Sequence, residues 1–276
     1  MPMTLQVVLM TGCSSGIGKA LCWAFHRQGY RVVATARRLE MIEDLQAAGM
    51  STLPLDITDP TTIQQAVSTI LETHHQLDIL INNAGYGQFG PLMDVSAEKL
   101  QAQFQTNVFA PIALIQQVAP IMKQQQAGLI VNIGSISGLV TTPFAGAYCA
   151  SKSALHSLSE ALRMELSPFG ITVVTVQPGA VASNIGVAAE KELAGVLTSD
   201  SWYVSFAQTI RDRTNLSQVE AMPTEQFAAQ LVQQVTQPKP PAIIRLGKKS
   251  LWLPFLKKWL PPAWMTFLLK RRFGLR

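Results

Sequence analysis

Seven short runs rich in β-branched and other apolar residues recur along the chain: VVLMT, RVVAT, STLPL, DILIN, GLIVNIG, ITVVTVQ and AIIRL. Stretches of helical length and pattern separate them, at 16–28, 39–48, 60–74, 96–124, 147–167 and 223–235. Strand–helix alternation sustained over most of a chain demands a parallel sheet with right-handed crossovers. Most of the strand-like runs are almost continuously apolar, as strands covered by helices on both faces must be. There is no internal repeat and no low-complexity linker, so residues 1–247 read as one catalytic-type α/β domain and 248–276 as an appended tail. The segment 183–216 breaks the rhythm just after a strand end, where open α/β sheets bind ligands, and reads as a lid or substrate loop.

The first strand runs directly into Thr11-Gly12-Cys13-Ser14-Ser15-Gly16-Ile17-Gly18 and then a helical pattern. Gly12 serves a tight turn, Gly16 a close backbone approach and Gly18 close packing of helix on strand. Free N–H groups and the positive end of the helix dipole then face an anion such as a pyrophosphate. The spacing is Gly-x-x-x-Gly-x-Gly, so its position between strand and helix carries the nucleotide reading. The second strand ends in Ala36, Arg37 and Arg38 with no carboxylate. NAD-binding chains usually place an acid there for the ribose 2′-hydroxyl. A guanidinium instead suits a 2′-phosphate, with Ser14 and Ser15 as further donors. NADP(H) is therefore expected over NAD(H).

Tyr148 and Lys152 stand one helical turn apart at the start of the 147–167 stretch, on one helix face. A free tyrosine titrates near pH 10, and a neighbouring cation favours the phenolate. Such a pair can act as a general acid–base. Ser135 lies 13 residues earlier, at the C-terminal end of GLIVNIG, where its hydroxyl can hold a substrate oxygen; Ser137 competes for that role. Asn107 is a polar amide in the apolar run TNVFAPIAL and needs partners, which either a bend in the helix or a water relay provides.

These residues resemble the short-chain dehydrogenase/reductase family, over roughly residues 4–183 and with the motifs in order. TGCSSGIG looks like its cofactor turn, Asn82-Asn83-Ala84-Gly85 like the motif after strand four, and Asn107, Ser135, Tyr148 and Lys152 like its catalytic tetrad. The resemblance implies a Rossmann fold: a doubly wound, seven-stranded parallel sheet of order 3-2-1-4-5-6-7 with helices on both faces. It also implies hydride transfer between a nicotinamide and a carbonyl or alcohol. Tyr148 would move the proton, Ser135 hold the oxygen, Lys152 bind the nicotinamide ribose and acidify Tyr148, and Asn107 keep a water for proton relay. Gly12, Ser14, Ser15, Gly16, Ile17, Gly18, Arg37, Asp56, Asn83, Pro178 and Val181 fall at cofactor-binding positions. Asp56 also reads as an acid at a helix N-terminus, and Asn83 as a tie between strands. Ser183 stands where the family usually has threonine. The turn, the ATARR strand end and YCASK look most like members acting on lipophilic substrates such as steroids and retinoids. A non-catalytic NADP(H)-binding sensor, and an epimerase or dehydratase on the same scaffold, are the competing readings.

Hydrophobic residues make up 48% of the chain and charged residues 14%, which excludes a disordered or collagen-like chain. The three cysteines do not form a secreted disulfide framework and fit a reducing, cytoplasmic compartment. From residue 238 to the end there are ten Lys/Arg and no acid, while the remainder holds 12 basic and 17 acidic residues. Trp252, Trp259, Trp264, Phe255, Phe267 and Phe273 share that tail. Two readings stand open. One is peripheral association with an anionic membrane surface; the other is packing on the body or in a homo-oligomer. Nucleic acid is not expected, because the tail is too apolar to track phosphates. No run is long enough to span a bilayer.

Overall fold

A computed structural model describes residues 5–183, 193, 195–216 and 218–275. Seven strands form one parallel sheet: β1 (Val7–Met10), β2 (Arg31–Ala36), β3 (Ser51–Pro54), β4 (Ile79–Asn82), β5 (Gly128–Ile133), β6 (Ile171–Val176) and β7 (Ile243–Ile244). Their order is β3-β2-β1-β4-β5-β6-β7, with every pairing parallel. The expected doubly wound architecture is the one observed. Only β7 is much shorter than its run AIIRL; Pro240 and Pro241 just ahead of it lack the N–H a ladder needs.

The strands are apolar on both faces because each face has its own helical layer. Along β1, Val8 and Met10 join the core beneath α1 (Gly16–Arg27), together with Leu21 and Phe25. Val7 and Leu9 point the other way, into the core shared with Ile63, Val67 and Ile70 of α3 (Pro60–His74). A short 3₁₀ turn, Leu39–Ile42, leads into α2 (Glu43–Ala47) where one helix was expected. The long 96–124 stretch is likewise divided. It comprises α4 (Ala97–Phe104), a π-helical turn at Gln105–Phe109, and α5 (Ala110–Gln125). Asn107 sits in that widened turn, so the helix does bend where the amide interrupts the apolar run.

The helix α6 (Gly146–Leu166) lies against the C-terminal half of the sheet. A buried polar chain fixes its register. Asn82 Nδ2 donates to Asn132 Oδ1 at 2.8 Å, Asn132 Nδ2 to Ser159 Oγ at 2.9 Å, and Ser159 Oγ to the Leu155 carbonyl at 2.6 Å. After β6 come α7 (Ala207–Asn215) in the expected lid segment and α8 (Thr224–Val235), whose Phe227, Leu231 and Val232 complete the α1 layer. Part of the expected lid, residues 184–192 and 194, lies outside the described residues.

The basic tail forms two helices, α9 (Trp252–Trp259) and α10 (Pro262–Arg272). Its root is stitched to the sheet edge, where Gly179 N–H donates to Leu246 O at 2.8 Å and Ala180 N–H to Lys248 O at 3.0 Å. Its far end packs inward. Phe273 is buried with Phe144, Leu193, Val196 and Ile210, and its ring centre lies 6.3 Å from that of Phe144. Lys257 Nζ donates to the Leu139 carbonyl. The outward side of the tail, by contrast, leaves Leu251, Trp252, Phe255, Trp259, Trp264 and Phe267 each more than half exposed. No described helix is long and apolar enough to cross a membrane.

Candidate active site

The glycine-rich turn closes over the end of β1 because two of its residues take left-handed backbone angles, Gly12 at φ 71° and Gly16 at φ 56°. A side chain at Gly12 would press on Ala84 Cα at 2.8 Å, and one at Gly18 would strike the Gly12 carbonyl. Asn83 holds the turn from below. Its Nδ2 donates to Thr11 O at 2.9 Å and Gly12 O at 3.1 Å, while the Asn83 and Ala84 N–H groups both donate to Thr11 Oγ1 at 3.0 Å. Both amide protons of Asn83 are thus spent on the turn, so this side chain shapes the cofactor loop as a tie between strand ends. Ser15 is the N-cap of α1 in an extended conformation, and its hydroxyl makes no capping bond. Ser14, Ser15, Gly16 and Ile17 are each part-exposed at the helix start, as an anion cradle requires.

Arg37 projects from the end of β2 as an exposed side chain. Across from it, after β3, Asp56 Oδ1 accepts from the Thr58 N–H at 2.9 Å and hydroxyl at 2.7 Å. Burial alone would raise the Asp56 carboxyl; the two Thr58 bonds and the Arg37 charge outweigh it and hold the group below its usual value. The acid that caps α3 is Asp59, which accepts from Thr61 N–H at 2.8 Å. Asp56 is therefore not a helix-terminal acid; it borders the strand-end groove with Arg37.

The expected tetrad converges at the C-terminal edge of β4 and β5. Ser135 caps a 3₁₀ turn, Ile136–Gly138, its Oγ accepting from Ser137 N–H at 3.1 Å. Ser137 thus contributes its backbone to the turn. The Ser135 hydroxyl lies near enough to the Tyr148 phenol to favour its ionised form. Lys152 is buried one turn along, its Nζ donating to Ile133 O at 2.8 Å. Asn107 Nδ2 donates to Tyr86 O at 2.9 Å and Ser151 Oγ at 3.1 Å, and its Oδ1 accepts from Tyr86 N–H at 3.2 Å. A side chain at Gly85 would meet Asn107 Oδ1 at 2.9 Å and Lys152 Nζ at 3.7 Å, so Gly85 keeps that corner open.

The electrostatics differ from expectation in one respect. Burial pushes the Tyr148 phenol above its usual value, partly offset by the Ser135 hydroxyl and by the Arg213 cation. Burial also lowers Lys152, to about 8, which leaves its ammonium mostly protonated at neutral pH.

Pro178 supports the serine turn, its carbonyl accepting from Ile136 N–H at 3.0 Å. The side chain of Val181 packs into the core with Ile133 and Val176, leaving only its backbone for a ligand. Ser183 N–H donates to Gln218 Oε1 at 2.9 Å.

Two functional side chains escaped the sequence reading. His156 lies one turn beyond Lys152, its Nε2 accepting the Ser135 N–H at 3.3 Å. That leaves the proton on Nδ1, which is buried without a partner. Gly134 and Gly138, on either side of Ser135, make room for the ring, and they were the available signal. Arg213 comes from α7, its Nε donating to Thr142 Oγ1 at 2.9 Å. It stands in the charged run Arg211-Asp212-Arg213, which resembles an ordinary solvated surface.

The sequence pattern of short chain dehydrogenases matches residues 6–194. A 3-ketodihydrosphingosine reductase of Bacteroides thetaiotaomicron is 32% identical over 98% of this chain and 99% of its own. A short-chain dehydrogenase from Streptomyces avermitilis superposes with a TM-score of 0.83 at 29% identity, covering both chains fully. A metagenomic short-chain oxidoreductase solved in complex with NADP is 32% identical, covering 71% of this chain and 93% of its own, with a TM-score of 0.60.

The His156 geometry makes a prediction. Burial, with the Lys152 and Arg245 charges, lowers this imidazole from 6.5 to about 4. The unfolded chain therefore binds the extra proton first, and stability present above pH 6.5 is lost as the pH falls towards 4. His156→Gln keeps an acceptor but does not titrate. Its melting temperature should fall less than that of the wild type between pH 7 and pH 4.5. Parallel melting curves for the two proteins would show that His156 is not held neutral.

Proposed function

The chain belongs to the short-chain dehydrogenase family, and from that premise we propose that it is an NADP(H)-dependent oxidoreductase interconverting a lipophilic aldehyde or ketone and its alcohol. The observation that carries this reading is the convergence of Tyr148 and Ser135 at the sheet edge, with the buried Lys152 one turn away. The cradle fits the cofactor: the left-handed Gly12 and Gly16, the open first turn of α1 and the side-chain-free Gly85 leave the strand ends clear for a dinucleotide. Gly12, Ser14, Ser15, Gly16, Ile17 and Gly18 would hold its pyrophosphate, Asp56 its adenine, Lys152 the nicotinamide ribose, and Pro178 and Val181 the nicotinamide side. When bound, the nicotinamide gives or takes the hydride.

The chain's own residues handle the proton. In reduction Tyr148 Oη donates its proton to the carbonyl oxygen, and in oxidation it takes the alcohol proton. Ser135 Oγ donates a hydrogen bond to the same oxygen and so fixes it against the phenol. Lys152, lowered to about 8, titrates near the working pH and can return a proton to Tyr148, with Asn107 at its side. Burial keeps the phenol protonated at neutral pH, so it is ready to act as the acid in reduction. Tyr148→Phe should lower turnover of aldehydes and ketones by about 10²–10⁴-fold, followed by NADPH fluorescence, while NADPH affinity stays near that of the wild type. Wild-type rates in this variant would remove the acid–base assignment.

The NADP(H) preference rests on Arg37, exposed at the end of β2 where no acid stands. A charge-assisted contact to a 2′-phosphate is worth about tenfold in affinity or more. Arg37→Ala should weaken NADPH binding by at least that factor and leave NADH nearly unchanged. An equal loss for both nucleotides would count against the preference.

The tail reading combines both of its sequence alternatives: the inner side closes on the body and the outer side meets an anionic lipid surface. Trp252 stacks on Phe255 with ring centres 6.0 Å apart, and Phe255 lies 6.2 Å from Trp259, forming an uncovered aromatic ledge. Lys257, Lys258, Lys270, Arg271 and Arg272 accompany it. Such a ledge suits the headgroup region. Anionic vesicles should sediment the full-length protein, and the triple change Trp252→Ser, Phe255→Ser, Trp259→Ser should release it. Retention of the triple variant on the vesicles would point away from this ledge.

A further inference from the structure

Arg213 is a buried cation in the wall of the substrate side. It is 6% exposed and belongs to α7, in the segment that follows β6. Its guanidinium carbon lies 5.0 Å from the centre of the Phe89 ring, and that ring packs on Tyr148 at 5.7 Å. Thr142 Oγ1 takes the Nε proton. Among the described residues no carboxylate pairs with it; the nearby groups that feel its charge are Tyr148 and Cys149. Burial raises both of those groups, so neither supplies a counter-charge at neutral pH.

A guanidinium carries five N–H donors, and Thr142 uses one. The remaining donors are not sealed in. Among the described residues, the buried side-chain nitrogen or oxygen left without a partner is His156 Nδ1, and no Arg213 nitrogen shares that state. The terminal nitrogens of Arg213 therefore keep the small accessible surface that this residue retains. Burying a cation without an anion is costly, and a fold keeps such a group where a ligand repays the cost. The planar fork suits an oxyanion bound through two parallel hydrogen bonds.

We propose that Arg213 forms an anion-binding subsite beside the reacting centre, and that the substrate is an amphipathic carbonyl compound or alcohol bearing a carboxylate-type oxyanion. This deepens the oxidoreductase reading and rests on it. Phe89 touches both groups, its ring packing on Tyr148 and lying against the guanidinium, so an anion held there would sit close to the proton donor. Phe144, Tyr203 and Phe206 line the neighbouring apolar cluster, which suits the hydrocarbon part of such a molecule.

The test compares octanoate with octanamide, which match in length and differ in charge, on the full-length protein loaded with NADPH. Calorimetry at physiological salt screens the exposed basic tail. Octanoate should bind the wild type at least about tenfold more tightly than octanamide. Arg213→Gln should erase that gap, and Arg213→Lys, which keeps the charge but not the fork, should retain part of it. Equal affinities in the wild type, or no binding of either probe, overturns the proposal. So does a gap that survives in Arg213→Gln, since it would assign the anion to other cations. Should Arg213→Gln fail to fold, the wild-type comparison and Arg213→Lys decide between the same outcomes. The two readings fail separately. An octanoate preference without turnover of any carbonyl sinks the oxidoreductase reading and leaves the subsite standing. Turnover lost in Tyr148→Phe, together with equal probe affinities, does the reverse.

Discussion

One face of α6 is polar where a helix against a sheet is ordinarily apolar, and the site depends on it. Ser151 meets Asn107, Lys152 meets the Ile133 carbonyl, His156 meets the Ser135 N–H, and Ser159 meets Asn132. Lys152, His156 and Ser159 are spaced three and four residues apart, so they share the face that meets β5 and the turn after it, while Ser151 beside them meets the π-turn. A buried donor or acceptor left unpaired costs about 1–3 kcal/mol, so the helix has few alternative registers. Apolar packing tolerates a slide of part of a turn; a row of directional bonds does not. The position of Tyr148 at the head of this helix follows from bonds made as far away as Ser159.

The same burial sets the charges. Removing Tyr148, Lys152 and His156 from water moves each towards its neutral form. At neutral pH the phenol and the imidazole are thus neutral, while Lys152 stays mostly protonated and Arg213 is a second cation nearby. Burial holds the proton on the phenol, and the cations beside it ease its transfer to a substrate oxygen. Ser135 is fixed from two directions, its backbone by His156 and its hydroxyl by the Ser137 N–H. If this hydroxyl holds a substrate oxygen, as proposed, it is positioned before any substrate enters.

The sheet was legible because burial on both faces writes a continuous apolar run, and Val7 to Met10 shows why: alternate residues serve two different cores. The cofactor turn was legible because Gly12 and Gly18 answer steric limits that only glycine meets. Asn107 announced itself as an amide in an apolar stretch, but nothing in its neighbours marks the π-turn that accommodates it. His156 and Arg213 were missed for opposite reasons. The histidine is buried by space that Gly134 and Gly138 leave on another segment, a relation visible only once the chain is folded. The arginine sits in a charged run whose burial is decided by packing of α7 against Phe89 and Thr142.

The tail gains a role from where it is anchored. Lys257 reaches the Leu139 carbonyl and Phe273, just past α10, packs on Phe144, so the tail touches the segment that follows Ser135 at both places. Phe144 also contacts Tyr203 and Phe206 beside α7. The tail, the serine loop and the arginine-bearing segment thus share one aromatic cluster, and displacement of any one is felt by the others through it. An aromatic ledge in a headgroup layer would hold the outer side of this cluster at the lipid boundary. A substrate with a hydrocarbon body and an oxyanion head is the kind of molecule that partitions to that boundary, its body in the acyl region and its charge in water. The cluster offers an apolar surface and Arg213 nearby a cation, which match the two ends of such a molecule.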